Sequence, residues 1–251
     1  MKLTTTKDTE LTKINALVYG PSGIGKTTSL RTLPEKGTTL VIFERGSLPL
    51  RYNNFNVLRP DDWMDIVNLA GIISNPGDAN DIRKVLKGTD TLVIDSLSAM
   101  AEACQAHIIG VSRKELLKER DAKAEKPKGI YDDLMTMEDW GVYRKRMKTV
   151  CEAFCSAPVN FVATCLDALV EDKITGKVMQ MLNLGGKTAS EVPAYFDLML
   201  CMRDEGKGDK AQRVWQTYDD GRVRAKDGSG VLDPLEPTDW TKLFKKIRGE
   251  K

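Results

Sequence analysis

With 251 residues, 41% of them hydrophobic and 29% charged, the chain has ordinary globular composition and the length of one large domain. Its 38 Lys and Arg against 36 Asp and Glu leave a net charge of +2, so bulk charge excludes nothing but a uniformly basic or acidic binder, and any basic surface has to be local. No apolar run approaches the ~20 residues of a membrane span, and the polar start MKLTTTKDTELTK does not read as a signal peptide.

Taken in chain order, INALVYG (Ile14 to Gly20) reads as a buried strand that feeds a glycine-rich turn, GPSGIGKTT. KTTSLRTL follows as a helix, ended by Pro34 and Gly37. TTLVIFE is a second β-branched strand and FNVLRP a short third. Asp61 or Asp62 caps the helix DWMDIVNLAGIIS. TLVID (Thr91 to Asp95) is the clearest central strand, followed by the helical SLSAMAEACQAHII. NFVATC and FDLMLCM are two more strands. These runs are continuously apolar rather than alternating, the pattern of strands covered on both faces. The expected fold is therefore α/β, a mostly parallel sheet flanked by helices.

Three stretches depart from that rhythm. The segment at about 111–138 is charge-dense and reads as an exposed helical insertion followed by a loop, a solvated face or a partner contact. EDWGVYRKRMKTVCEAF is amphipathic, with Trp140, Met147, Val150, Cys151 and Phe154 at sheet-packing spacing and Arg144, Lys145, Arg146 and Lys148 on the rest. Near the end, Asp220-Gly221 predicts an antiparallel β-hairpin over about 212–227, and KLFKKIRGEK closes the chain as a second basic cluster. Each basic cluster is either a nucleic-acid contact or a solvated face.

The five cysteines are odd in number and form no CxxC pair, which points to free thiols in a reducing cytoplasm. Cys151 and Cys155 lie one helical turn apart and could share a metal in principle, an alternative disfavoured by the single histidine, His107, and the lack of a second cysteine pair to complete a zinc site.

The chemistry sits in the turn. Gly20, Pro21, Ser22, Gly23, Ile24, Gly25, Lys26, Thr27 and Thr28 fit G-x-x-x-x-G-K-[ST] between a strand and a helix. Glycines let backbone N–H groups converge on a β-phosphate, and the following helix adds its N-terminal dipole. Lys26 neutralises β- and γ-phosphate charge, and the Thr27 hydroxyl ligates Mg²⁺. ATP and Mg²⁺ are the expected cofactors. Asp95, at the carboxyl end of its strand, is placed to hold the metal, against the alternative of capping the next helix, which Ser96 can do instead. Glu44 activates water if its strand lies beside that of Asp95; otherwise it is an exposed strand-end glutamate. Thr164 or Asp167 is a weaker candidate for sensing the γ-phosphate.

GPSGIGKTT, the strand ending in Glu44 and TLVIDSLSAM together resemble the RecA-type ATPase core, including Asp95, Ser96 and the small Ala99. The short chain, with EDWGVYRKRMKTVCEAF, LNLGGKTASEVPAYFD and VWQTYDDGRVRAKDGSG, resembles the phage-encoded Sak-type proteins, which are built on a shortened RecA core. The likeness runs from about Lys13 to Ile247. It implies one RecA-like P-loop NTPase domain over 1–251 and an ATP-dependent recombination protein that binds single-stranded DNA, anneals or exchanges strands, and often works beside a single-strand-binding protein. It also implies a cytoplasmic site of action in a phage-infected bacterial host, a ring or filament of copies, and an ATP site between subunits. Arg224 and Lys226 match the spacing of the pair that RecA relatives insert into a neighbour's site, though as Arg-x-Lys where relatives often have Lys-x-Arg. Loops after the central strands line the DNA channel in that family. Here the corresponding segment from Ala168 to Lys187 offers Lys173, Lys177 and Lys187, with few aromatics to stack bases. The alternative function is a nucleotide-dependent loader or assembly switch that grips a protein partner without DNA.

Overall fold

The computed structural model describes residues 13–43, 48–74, 87–121, 134–171, 176–206 and 212–250, with side chains of the third stretch described as far as 111. Glu44, Lys173 and much of the expected insertion lie outside the described residues.

β1 (Asn15–Gly20), β2 (Thr38–Ile42), β3 (Asn56–Leu58), β4 (Thr91–Asp95), β5 (Asn160–Glu171) and β7 (Leu198–Glu205) pair in parallel in the order β7-β1-β5-β4-β2-β3. Beyond β7 the sheet turns antiparallel through β8 (Gln212–Gln216) and β10 (Leu235–Pro237). β6 (Val178–Leu182) pairs back onto the far end of β5. The molecule has the P-loop NTPase α/β fold.

The apolar runs are continuous because neighbouring residues serve two cores. Leu17, Tyr19, Ile94, Phe161 and Ala163 face α2 (Trp63–Ser74), α3 (Leu97–Asp121) and α4 (Met137–Cys155). Ala16, Val18, Val93, Val162 and Leu200 face the opposite side. There they meet Leu30, just after α1 (Lys26–Ser29), and the C-terminal helix. Strands sandwiched this way cannot alternate polar and apolar residues.

The charged segment does not start a new helix at 111; α3 carries through it as far as Asp121. α4 opens on a capping box between Thr136 and Asp139. Its Met147, Val150, Cys151 and Phe154 are buried as the spacing predicts, but Trp140 is 37% exposed. Its ring lies over Gly185 and edge-on to Tyr143 instead of on the sheet.

The C-terminal strands are antiparallel, as expected, but the two arms around Asp220-Gly221 do not pair with each other. The turn itself forms, with Asp220 Oδ1 accepting from the backbone N–H groups of Arg222 and Val223. β8 pairs with β7 and β10, whereas β9 (Lys226–Asp227) joins β7 lower down, opposite Leu198 and Met199. Between them, residues 222–224 dock on β6: Gln180 N–H donates to the Arg222 carbonyl and Arg224 N–H to that of Gln180. The edge of β7 offers more hydrogen-bonding length than a two-residue turn can compete with.

α5 (Thr188–Glu191) follows β6, and α6 (Trp240–Arg248) closes the chain. Asp239 caps α6 by accepting from Lys242 N–H, and its apolar face seats Trp240, Leu243 and Phe244 behind α1. The closing basic cluster stays at the surface, with Lys242, Lys245 and Arg248 exposed, but two of its cations have partners within the chain. Lys246 pairs with Asp233 and Glu236, and Arg248 donates to Asn160 Oδ1. Among the described residues no helix is long and apolar enough to cross a membrane.

Candidate nucleotide site

β1 ends in Gly20 at the carboxyl edge of the sheet, and the chain turns there through Pro21–Gly25 into α1. Gly20 is required by crowding: a Cβ on it would lie 2.7 Å from the carbonyl oxygen of Met202 in β7. Gly25 is required by conformation, with φ +108 at the N-terminus of α1. The loop is held by Ile24 N–H donating to Pro21 O and Ser29 N–H to Gly25 O.

Lys26 is 8% exposed, and its ammonium lies inside the turn, donating to the carbonyls of Gly20 at 2.7 Å and Pro21 at 2.8 Å. The charge is thus fixed within the loop. Thr27 Oγ1 donates to Asp95 Oδ2 at 2.9 Å, and the Thr164 hydroxyl donates to Asp95 Oδ1. Asp95 is 7% exposed and Thr164 fully buried. A buried carboxylate held by hydroxyls at a sheet edge supplies the hard oxygen donors Mg²⁺ requires. The donor set therefore fits that ion, with Thr27 and Asp95 as the residues that would hold it.

Other assignments separate here. Ser96 Oγ accepts from Ala99 N–H and so caps α3, which leaves the Asp95 side chain to the hydroxyls. Of the two residues named at the end of NFVATC, Thr164 reaches Asp95, while Asp167 accepts from Gln180 Nε2 at 2.7 Å. β2 does lie beside β4: Ile42 is opposite Asp95, and Phe43 N–H donates to the Asp95 carbonyl. The strand that leads to Glu44 is therefore adjacent to the strand of Asp95, with Glu44 itself outside the described residues.

Arg224 and Lys226 do not converge within the chain. The exposed Arg224 guanidinium pairs with Asp219 at 3.0 Å, and Lys226 Nζ donates to the Phe196 carbonyl at 2.7 Å. The Arg224 backbone is nevertheless tied to the strand of the loop, because the Tyr19 hydroxyl donates to its carbonyl at 2.6 Å. Lys177 and Lys187 are both exposed but stand at opposite ends of β6, Lys177 near the hairpin tip and Lys187 at the entry to α5. Arg213, which no motif marks, reaches the loop from β8 and touches Gly25. Nothing in the local sequence signals that contact, since it arises from the antiparallel register of β8 on β7.

All five cysteines are free and buried. Burial pushes the Cys104 and Cys151 thiols up to about 12 and those of Cys165 and Cys201 up to about 11, so none is a thiolate near neutral pH.

A strand, a glycine turn closed on a lysine, a helix, and a buried carboxylate two strands away define a P-loop nucleotide-binding protein. Residues 12–229 match the family model described as an AAA domain, and the chain belongs to that family. It is accordingly a P-loop ATPase of the AAA type. No curated protein matches the chain.

Proposed function

We propose that this ATPase hydrolyses MgATP at a site shared between neighbouring copies and uses the cycle to grip single-stranded DNA during strand annealing or exchange, in the manner of the phage Sak-type proteins it resembles. The observation that carries the nucleotide half is the contact of Thr27 with Asp95 beneath the loop that encloses Lys26. Thr27 and Asp95 would hold Mg²⁺, which would supply charge neutralisation to the phosphates. The chain's own residues do the rest. Lys26 holds a fixed positive charge where the β- and γ-phosphates lie. Thr164 keeps the Asp95 carboxylate oriented. Glu44, two positions in sequence after the end of β2, polarises water, and Arg224 or Lys226 of an adjacent copy completes the charge.

The DNA half rests on the resemblance and on the hairpin of β5 and β6, which extends past the sheet from the nucleotide edge and carries Lys177. A specific observation favours the second reading, a switch acting on a protein partner. The exposed side chains of that hairpin include Leu169 at 72% and Val178 at 51%, surfaces that suit a protein better than a phosphate backbone.

Phosphate release with and without single-stranded DNA, together with gel shifts at several salt concentrations, separates the two. The DNA reading expects stimulated turnover and binding that tightens steeply as salt falls. Absence of binding at low salt, with or without ATP, leaves the protein-partner reading. Lys26→Ala should abolish turnover in either case; full activity in that variant removes the site assignment.

A further inference from the structure

Arg213 approaches the phosphate loop from the flank opposite the metal end. β8 runs antiparallel to β7 with Arg213 opposite Asp204, so its first residues stand at the edge where β1 delivers the loop. The contact is close: a Cβ built on Gly25 would fall 2.8 Å from Arg213 Nη1 and 3.3 Å from its Cδ. The missing side chain at Gly25 therefore makes room for the arginine as well as for the turn.

Among the described residues the guanidinium is only weakly engaged. Its ion pair among the described residues runs from Nε to Asp204 Oδ1 at 3.8 Å, with the two side chains 49% and 61% exposed. So long and so exposed a pair contributes little. What remains is a half-exposed planar donor set lying on a loop whose chemistry is phosphate binding, and arginine is the side chain best suited to a phosphate.

The direction of the bound nucleotide follows from strand order. Thr27, Asp95 and Thr164 put the metal, and with it the β- and γ-phosphates, on the β5–β4 side of β1. β7 and β8 lie on the other side. A nucleotide with its metal-bound end toward Asp95 has its α-phosphate and nucleoside toward β7 and β8. We infer that Arg213 is a nucleotide-binding residue acting within its own chain, and that it donates to the α-phosphate of the bound nucleotide. This assignment rests on the reading of the loop as a nucleotide site.

Calorimetric titration of ATP and of ADP, each with Mg²⁺, into the wild type, Arg213→Ala, Arg213→Lys and Arg213→Gln tests it. Because both nucleotides carry the α-phosphate, Arg213→Ala and Arg213→Gln should weaken ATP and ADP by the same factor, about tenfold for a charge-assisted contact at a half-exposed site. Arg213→Lys should lose less. Arg213→Gln keeps the stem against Gly25, so it carries the comparison if the alanine variant melts early. Unchanged affinity for both nucleotides overturns the assignment and leaves the loop reading intact. A loss confined to ATP places the side chain at the γ-phosphate and also overturns it. A wild type that binds neither nucleotide fails at the earlier step, and takes this assignment with it.

Discussion

Asp95 has a different hydroxyl on each carboxylate oxygen, Thr27 on Oδ2 and Thr164 on Oδ1. Thr27 is also the residue that would ligate the metal, whereas Thr164 holds the carboxylate from its other oxygen. Thr164→Val removes that donor with almost no change of shape. It should cost about 1–3 kcal/mol in urea denaturation, the usual penalty for depriving a buried charged group of a hydrogen bond, and should slow ATP turnover. Thr164→Ser should recover most of both, and a valine variant of wild-type stability would show that the contact contributes nothing. The thiols give a second prediction at this scale. Buried, with their acidity suppressed, the five cysteines should react with an aromatic disulfide reagent at neutral pH only as fast as the protein unfolds. A rapid phase of even one equivalent under native conditions would mean that a thiol here is accessible and reactive. The loop and Asp95 were legible in the sequence because their signals are local: fixed glycine spacing, a strand before and a helix after. Arg213 was not, because it meets Gly25 across 188 residues by way of strand register.

α6 shows how an element far along the chain supports the loop. Trp240 packs at a tilt against Trp215, with ring centroids 4.5 Å apart, and against Phe244 at 5.8 Å. Its indole N–H donates to Ser29 Oγ at 3.2 Å and its backbone N–H to Thr32 Oγ1 at 2.8 Å, so it grips the end of the first helix and the turn that follows. Ser29 in turn donates to the Lys26 carbonyl. Trp240→Ala should destabilise by about 3–5 kcal/mol, the range for emptying a large aromatic site, and should weaken nucleotide binding through the loosened helix. Trp240→Phe should cost less, because a smaller aromatic ring still fills part of the site although the Ser29 contact is lost. Equal denaturation midpoints for wild type and Trp240→Ala would mean that α6 is not part of the cooperative unit. The sequence marked this stretch only as a basic cluster. Its helical periodicity was readable, but the partners that occupy Lys246 and Arg248 lie on other elements. The arms around Asp220-Gly221 failed for a related reason. A turn is decided within four residues, whereas strand pairing is decided by which edge is available, and here that edge belongs to β7.

At the scale of the whole molecule, apolar runs identified the strands but not their order, and the order is what places the chemistry. β5 separates the strand of the loop from the strand of Asp95, then continues past both into the hairpin with β6. Leu169 is opposite Gln180 and Glu171 opposite Val178, so the exposed Leu169 and Val178 share one face of that hairpin. If a second copy completes the site as proposed, these exposed apolar side chains are the surface that would hold it where its Arg224 or Lys226 can reach. Sedimentation velocity with a non-hydrolysable ATP analogue should show the wild type moving to larger species. Leu169→Asp combined with Val178→Asp should remain monomeric while binding the analogue with wild-type affinity, because both side chains are solvent-facing in the single chain. Turnover in the double variant should then fall with assembly, not with binding. A wild type that stays monomeric with analogue and DNA present, yet hydrolyses ATP at full rate, would place the complete catalytic set within one chain and leave Arg224 and Lys226 as surface residues.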